Sequence, residues 1–166
     1  MHDPREAQAY LKYLQRKQSE IQAAAAGARD AFGAAWTACR HSRQQCAELG
    51  QVLRALRLRI QEHFQEEESD GCLEEAVSRC PSLAAEFAQL MQEHKRLLQA
   101  LDALIRDCDE PQCTRDAQRL AECRASFEGF LTLLQDHEAR ESALLCRGLN
   151  LAESPGGTSS RSERGT

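Results

Sequence analysis

The chain has 166 residues, about one domain's length. Apolar residues make up 42% and aromatics only 5%, and Ala, Leu, Gln, Glu and Arg dominate, which favours helix and disfavours a β-sandwich or barrel. The net charge of −5 argues against a general nucleic-acid binder, and no apolar run reaches the roughly 18 residues of a membrane span. The opening MHDPREAQAY lacks the apolar core of a secretory signal, so the expected compartment is the cytoplasm.

In chain order, Asp3-Pro4-Arg5-Glu6 opens helix A with an N-cap Asp, a first-turn Pro and a Glu three residues after the cap. An apolar seam then advances in steps of three and four through Leu11, Leu14, Gln18, Ile21, Ala25, Ala28, Phe32, Ala35 and Cys39, which predicts helix over roughly 4–40. Ser42-Arg43-Gln44-Gln45 fits a capping box for helix B. Its seam runs Cys46, Leu49, Leu53, Leu56, Ile60, His63, Glu67, and Ser69-Asp70-Gly71 stops it. A short helical piece is expected around Leu73–Val77. Pro81 then starts helix C, with Leu83, Phe87, Leu90, His94, Leu97, Leu101 and Leu104 on its seam and an end before Glu110-Pro111. Helix D begins near Thr114 to Asp116 and carries Leu120, Cys123, Phe127, Phe130, Leu134, His137, Glu141 and Leu144. After Leu151 the composition turns to Ser, Gly, Arg and Glu, and 153–166 is expected to be a disordered tail. The predicted fold is all-α: an up-down-up-down four-helix bundle over 4–150. Pro and Gly after each stretch favour it over an extended coiled coil.

Eight cysteines, at 39, 46, 72, 80, 108, 113, 123 and 146, include no Cys-x-x-Cys pair. That removes the main support for zinc-ribbon and thioredoxin-type readings and leaves scattered thiols, with Cys108 and Cys113 as a possible redox pair.

The seams are apolar or cysteine except at Gln18, His63, Glu67, His94, His137 and Glu141. Unpaired buried carboxylates and imidazoles are costly, so such positions in a core need a reason. His63 with Glu67, and His137 with Glu141, are each His-x-x-x-Glu, which puts both side chains on one helical face a turn apart. One such pair is ordinarily solvated, and one core His is ordinarily a hydrogen-bonded packing residue. Two pairs plus His94, all in phase with leucine seams, point instead to nitrogen and carboxylate ligands converging on iron or manganese in a bundle core. Glu66, Glu68 and Glu138 fall off the seam and are expected to be solvated or to support the ligands from outside. His2, near the N-terminus, and His41, in the A–B turn, are poor ligand candidates.

The segments His63-Phe64-Gln65-Glu66-Glu67-Glu68, Cys80-Pro81-Ser82-Leu83 leading to Glu93-His94-Lys95-Arg96-Leu97-Leu98, and His137-Glu138-Ala139-Arg140-Glu141-Ser142-Ala143-Leu144-Leu145 resemble the hemerythrin-like (HHE cation-binding) family over roughly residues 8–150. That resemblance implies a carboxylate-bridged non-haem di-iron centre. His63 and His137 would be terminal imidazole ligands, Glu67 and Glu141 the bridging carboxylates, and His94 the ligand from helix C. The family also has a His on helix A, and here the seam position at the matching height is Gln18, a weaker donor to iron than imidazole. Leu98 stands where respiratory hemerythrin has a second His on helix C.

The expected cofactor is therefore one or two iron ions. The expected role is binding or sensing O2, iron or redox state at an open coordination position, with Phe64, Phe127 and Phe130 as candidate pocket walls. No acid or base beyond the ligands is apparent, so no enzyme is expected, nor a nucleic-acid or membrane partner. The rival is a metal-free helical interaction module whose His and Glu residues pair with one another. A ferritin-like oxidase is disfavoured because that pattern runs Glu-x-x-His. One register question stands open: His94 lies about 15 residues from the end of helix C and His137 about 22 into helix D, an offset of about 10 Å unless the chain over 108–116 climbs.

Overall fold

The computed structural model describes residues 4–38, 43–110, 113 and 116–151, and these residues are all-helical with no strand among them. The helices are α1 (Pro4–Ala38), α2 (Arg43–Asp70), α3 (Cys72–Arg79), α4 (Ala84–Asp109) and α5 (Ala117–Leu149), with a 3-10 turn at Pro81–Leu83. Asp3, Ser42 and Thr114 as helix starts, Cys39, His2, His41 and the 153–166 tail lie outside the described residues, as does the Cys46 side chain. No described helix is long and apolar enough to cross a membrane.

The boundaries follow local chemistry. Gly71, at φ 77, breaks α2 from α3 in a conformation that a Cβ disfavours, and Asp70 Oδ1 accepts from the Cys72 N–H at 2.9 Å. Pro81 was expected to begin helix C directly. Instead Cys80, which precedes it, is held out of the helical region at φ −130, ψ 81, and the Leu83 N–H reaches back to the Cys80 carbonyl at 3.0 Å. The result is one tight 3-10 turn before α4. Asp116 caps α5 by accepting from the Gln118 N–H at 2.9 Å, as the sequence indicated.

The four long helices each pack on two others: α1 on α2 and α5, and α4 on α2 and α5. Ion pairs at their margins fix the register. Arg54 meets Asp109 at 2.7 Å and Arg57 meets Asp102 at 2.6 Å between α2 and α4. Arg29 meets Glu128 at 2.8 Å between α1 and α5, and Arg147 meets Glu86 at 2.5 Å between α5 and α4. Such exposed pairs contribute little stability, so their weight is positional.

The interior divides into two apolar clusters. One gathers Ile21, Phe32, Leu53, Ile60, Leu101, Phe127 and Leu134, and the other Leu11, Leu14, Leu73, Leu90, Leu144 and Leu149. Three long helices pass from one cluster to the other, α1 between Ile21 and Leu14, α4 between Leu97 and Leu90, and α5 between Leu134 and Leu144, while α2 contributes to the first cluster as far as Phe64 and α3 takes its place in the second. The gap between clusters is where the polar seam residues fall.

Helix α3 covers the second cluster and lies close against α5 at Gly148. A Cβ there would stand 2.5 Å from Ala76 Cβ and 2.7 Å from the Ala76 carbonyl oxygen, so the backbones approach only because Gly148 lacks one. Gly148→Ala should cost about 1–3 kcal/mol in urea unfolding. Gly129→Ala, on an exposed turn of the same helix with nothing within 4 Å, should leave stability unchanged or raise it by up to about 1 kcal/mol. Equal effects at the two sites would mean that α3 does not pack there.

Candidate metal centre

His63, Glu67, His94, His137 and Glu141 are all buried, at 1–2% exposure, in the gap between the two apolar clusters. Three helices therefore deliver the predicted set to one layer. One ligand atom from each of Glu67, His94 and His137 falls within 4.8 Å of the other two. The open register question is resolved by the helix ends: α5 begins at Ala117, beyond the level at which α4 stops at Asp109, which brings the two imidazoles together. The His94 and His137 rings are 4.8 Å apart and inclined at 70°.

The donor atoms have few partners. His63 Nε2 sits 2.8 Å from Glu67 Oε1, and His94 Nε2 sits 3.6 Å from Glu67 Oε2. Yet both ring nitrogens of His63, both oxygens of Glu67 and Glu141, and Nε2 of His94 and of His137 make no hydrogen bond. Proximity without hydrogen-bond geometry is what several lone pairs aimed at one point produce.

Outside this layer, two carboxylates hold the imidazoles in place. Glu68 Oε1 lies 2.9 Å from His94 Nδ1, and Glu93 Oε2 lies 3.1 Å from His137 Nδ1, with Arg140 bonded to the same Glu93 oxygen. A carboxylate only accepts, so Nδ1 carries the proton and Nε2 presents its lone pair inward, the usual outer support of a metal-binding His. His63 has no such support. Phe64 lies flat on His94, with centroids 4.0 Å apart and planes at 6°, and meets the edge of His137 at 5.5 Å.

Three expectations need correction or refinement. Glu138 is neither solvated nor an outer support. It is 6% exposed, and its Oε1 is buried without a partner. Phe127 is not a wall of the site: it packs on Phe32 at 5.4 Å, and ten residues of helix put it about 15 Å below His137. Phe130 likewise belongs to the apolar cluster below, and of the three aromatics only Phe64 touches the imidazoles. Glu68 is an outer support as expected, whereas Glu66 turns away to accept from Tyr13 at 2.7 Å and Lys17 at 3.2 Å. Glu93 was not anticipated. Its only sequence signal is its place one residue before His94 and on the α5-facing side of α4. Gln18 is half-buried with its Nε2 buried and unpartnered, and Leu14 and Ile21 on either side belong to different clusters, which puts it in the polar layer. No family model, curated protein or solved structure matches the chain.

Burial sets the charge state of the layer. It pushes Glu67 up to about 8 and Glu138 up to about 7, and raises Glu141 well above the carboxylate range, helped by the neighbouring Glu67 charge. It lowers His63 and His94, and takes His137 down to about 4. Without a cation the layer is thus neutral acids beside neutral imidazoles. Stability from a raised carboxyl is present below its unfolded value of about 4.5 and is lost as pH rises to its folded value. Stability from a depressed His is lost only as pH falls below about 6.5, so between about 6.5 and 8 the carboxyls act without the imidazoles. In chelator-treated protein, unfolding free energy should fall over that interval by at most about 1.4 kcal/mol per pH unit for each such carboxyl. Glu67→Gln should flatten the slope, and parallel slopes in the two proteins would remove Glu67 from the buried layer.

Proposed function

We propose that this chain is a hemerythrin-like, non-haem iron protein: an up-down-up-down four-helix bundle whose central layer binds one or two iron ions. The bundle reading is supported by the marginal cross-links, whose residue numbers rise on one helix as they fall on its neighbour, Arg54 with Asp109 and Arg57 with Asp102 among them. The observation that carries the metal reading is the set of buried, unpartnered nitrogens and oxygens on His63, Glu67, His94, His137 and Glu141. Leaving each such group unmade costs about 1–3 kcal/mol, and a shared cation satisfies them together. A donor set of imidazoles and carboxylates inside a helical bundle suits iron.

Glu67, His94 and His137 form the better prepared half of the site, because outer carboxylates orient both imidazoles. His63 and Glu141 form the other half, and Glu138, whose buried Oε1 lies close enough to His63 for their charges to interact, supplies a donor that α1 lacks. Iron held by these residues would supply binding of a small ligand such as O2. Phe64 and the leucine layers exclude water from the site. A recess of about 360 Å³ between α2 and α4 reaches His94 and Phe64 with Leu98 on its wall, and it is the access route. Where the family resemblance calls for a second His, Leu98 puts an apolar side chain on the wall of that route. The role is binding or sensing rather than catalysis. The neutral acid and imidazole layer described above is what would favour the metal-free interaction module instead.

Protein from iron-supplemented cells should carry about one to two iron ions per chain, as carboxylate-bridged bundle sites do. His137→Ala should lose most of them, and Gln18→His should raise occupancy by restoring an imidazole. Chelation should lower the melting temperature of the wild type, because bound metal stabilises the native state by mass action. Metal-free wild type that melts identically with and without chelator would leave the interaction module standing.

A further inference from the structure

Away from the polar layer, where α4 hands over to α5, three cysteines from three different turns come together. Cys108 is on the last turns of α4, Cys113 is in the connection, and Cys123 is on the second turn of α5. All three are buried, at 3%, 2% and 8% exposure, and one sulfur from each lies within 4.8 Å of the other two. Cys113 Sγ and Cys123 Sγ are 3.4 Å apart.

We propose that Cys108, Cys113 and Cys123 form a second metal site, a three-thiolate cradle for a soft closed-shell cation of the Zn2+ class. Sulfurs each about 2.3 Å from one tetrahedral Zn2+ stand about 3.8 Å apart, so sulfurs already within 4.8 Å of one another reach that spacing with shifts of no more than about 1 Å. The spacing of four and nine intervening residues matches no zinc ribbon. The helices and the turn do the gathering. Cys108 continues the seam of Leu101 and Leu104, and Cys123 sits on the seam between Leu120 and Phe127. Glu110, extended at φ −61, ψ 128 as a residue before proline must be, accepts from the Cys113 N–H at 2.9 Å, and that turn folds Cys113 inward.

Core cysteines ordinarily pack as small hydrophobes, with no need to meet one another. Here three of them meet, with Cys113 Sγ and Cys123 Sγ within hydrogen-bonding distance of each other and the Cys108 sulfur beside both. A recess of about 310 Å³ opens on Cys113 and Cys123, with Asp107, Glu110 and Glu122 at its sides. It gives room for the water or carboxylate that completes a tetrahedral shell, and its three carboxylates, against the one cation of Arg119, favour an approaching metal ion. The donor chemistry separates this cradle from the layer between the clusters: three thiolates select a soft ion, whereas imidazole and carboxylate suit iron. Cys123 lies 14 residues before His137, about 21 Å along α5, so the two sites load independently.

The test is a titration of reduced, chelator-treated full-length protein with Co2+, whose bond to thiolate gives a near-ultraviolet charge-transfer band that nitrogen and oxygen ligands do not give. The wild type should develop that band at one equivalent and lose it when Zn2+ is added. Cys108→Ser, Cys113→Ser and Cys123→Ser should each abolish it, while Cys72→Ser and His137→Ala should keep it. His137→Ala separates this proposal from the iron site, since its iron content and its thiolate band report on different metals. Circular dichroism checks the variants. Should a helical variant misfold, Cys113→Ser, which alters the connection rather than a helix, decides the matter. No thiolate band in the folded, reduced wild type, or a band that survives Cys113→Ser, would overturn the proposal.

Discussion

Burying imidazoles and carboxylates between two apolar clusters is the constraint on which the rest of this molecule depends. His63, Glu67, His94, His137, Glu138 and Glu141 are all nine-tenths or more buried, and most of their inward-facing atoms lack a hydrogen bond. A core normally excludes such groups. Here all four long helices reach the layer at the same height, with leucine, isoleucine and phenylalanine above and below. The apolar clusters supply the stability that permits the layer, and the layer in turn divides the core.

The layer is not symmetric. His94 and His137 are each held from outside by a carboxylate, Glu68 and Glu93, and Phe64 stacks against one ring and abuts the other. His63 has no carboxylate bonded to its Nδ1, only a tilted contact with Phe64 at 6.0 Å, and its acidic neighbours are Glu67, Glu141 and the buried Glu138. Orientation fixed in advance lowers the cost of assembling a binding geometry, so Glu67, His94 and His137 are the prepared half and His63 with Glu141 the adaptable one. The absence of an α1 imidazole falls on the adaptable side, where Gln18 stands.

The same helices carry a second polar cluster of different character. Cys108, Cys113 and Cys123 sit where α4 and α5 are joined, and the join fixes the register of the two helices. Because α5 starts level with a point beyond the end of α4, His94 comes opposite His137 and Cys108 comes opposite Cys123. One offset between the helix ends therefore sets both clusters. Gly148 plays the corresponding part at the other end, where its missing Cβ lets α3 close over the second apolar cluster.

Periodicity by itself determined the all-α class, the four long helices and the residues of the layer. A seam with a step of three to four residues places His63, Glu67, His94, His137 and Glu141 on inward faces whatever the partner helices do. Breaking and capping residues placed the C-terminal end of α2 and the start of α5 for the same local reason. What one helix's pattern does not hold is the distance between helices. The offset between the end of α4 and the start of α5, Glu93 beside His137, and the meeting of three cysteines scattered along the sequence were decided by tertiary packing alone. Glu138 was misplaced because a helical face has a width. One residue past the seam is solvated on a lone helix and buried when α1 covers it, and only the packed structure brings α1 there.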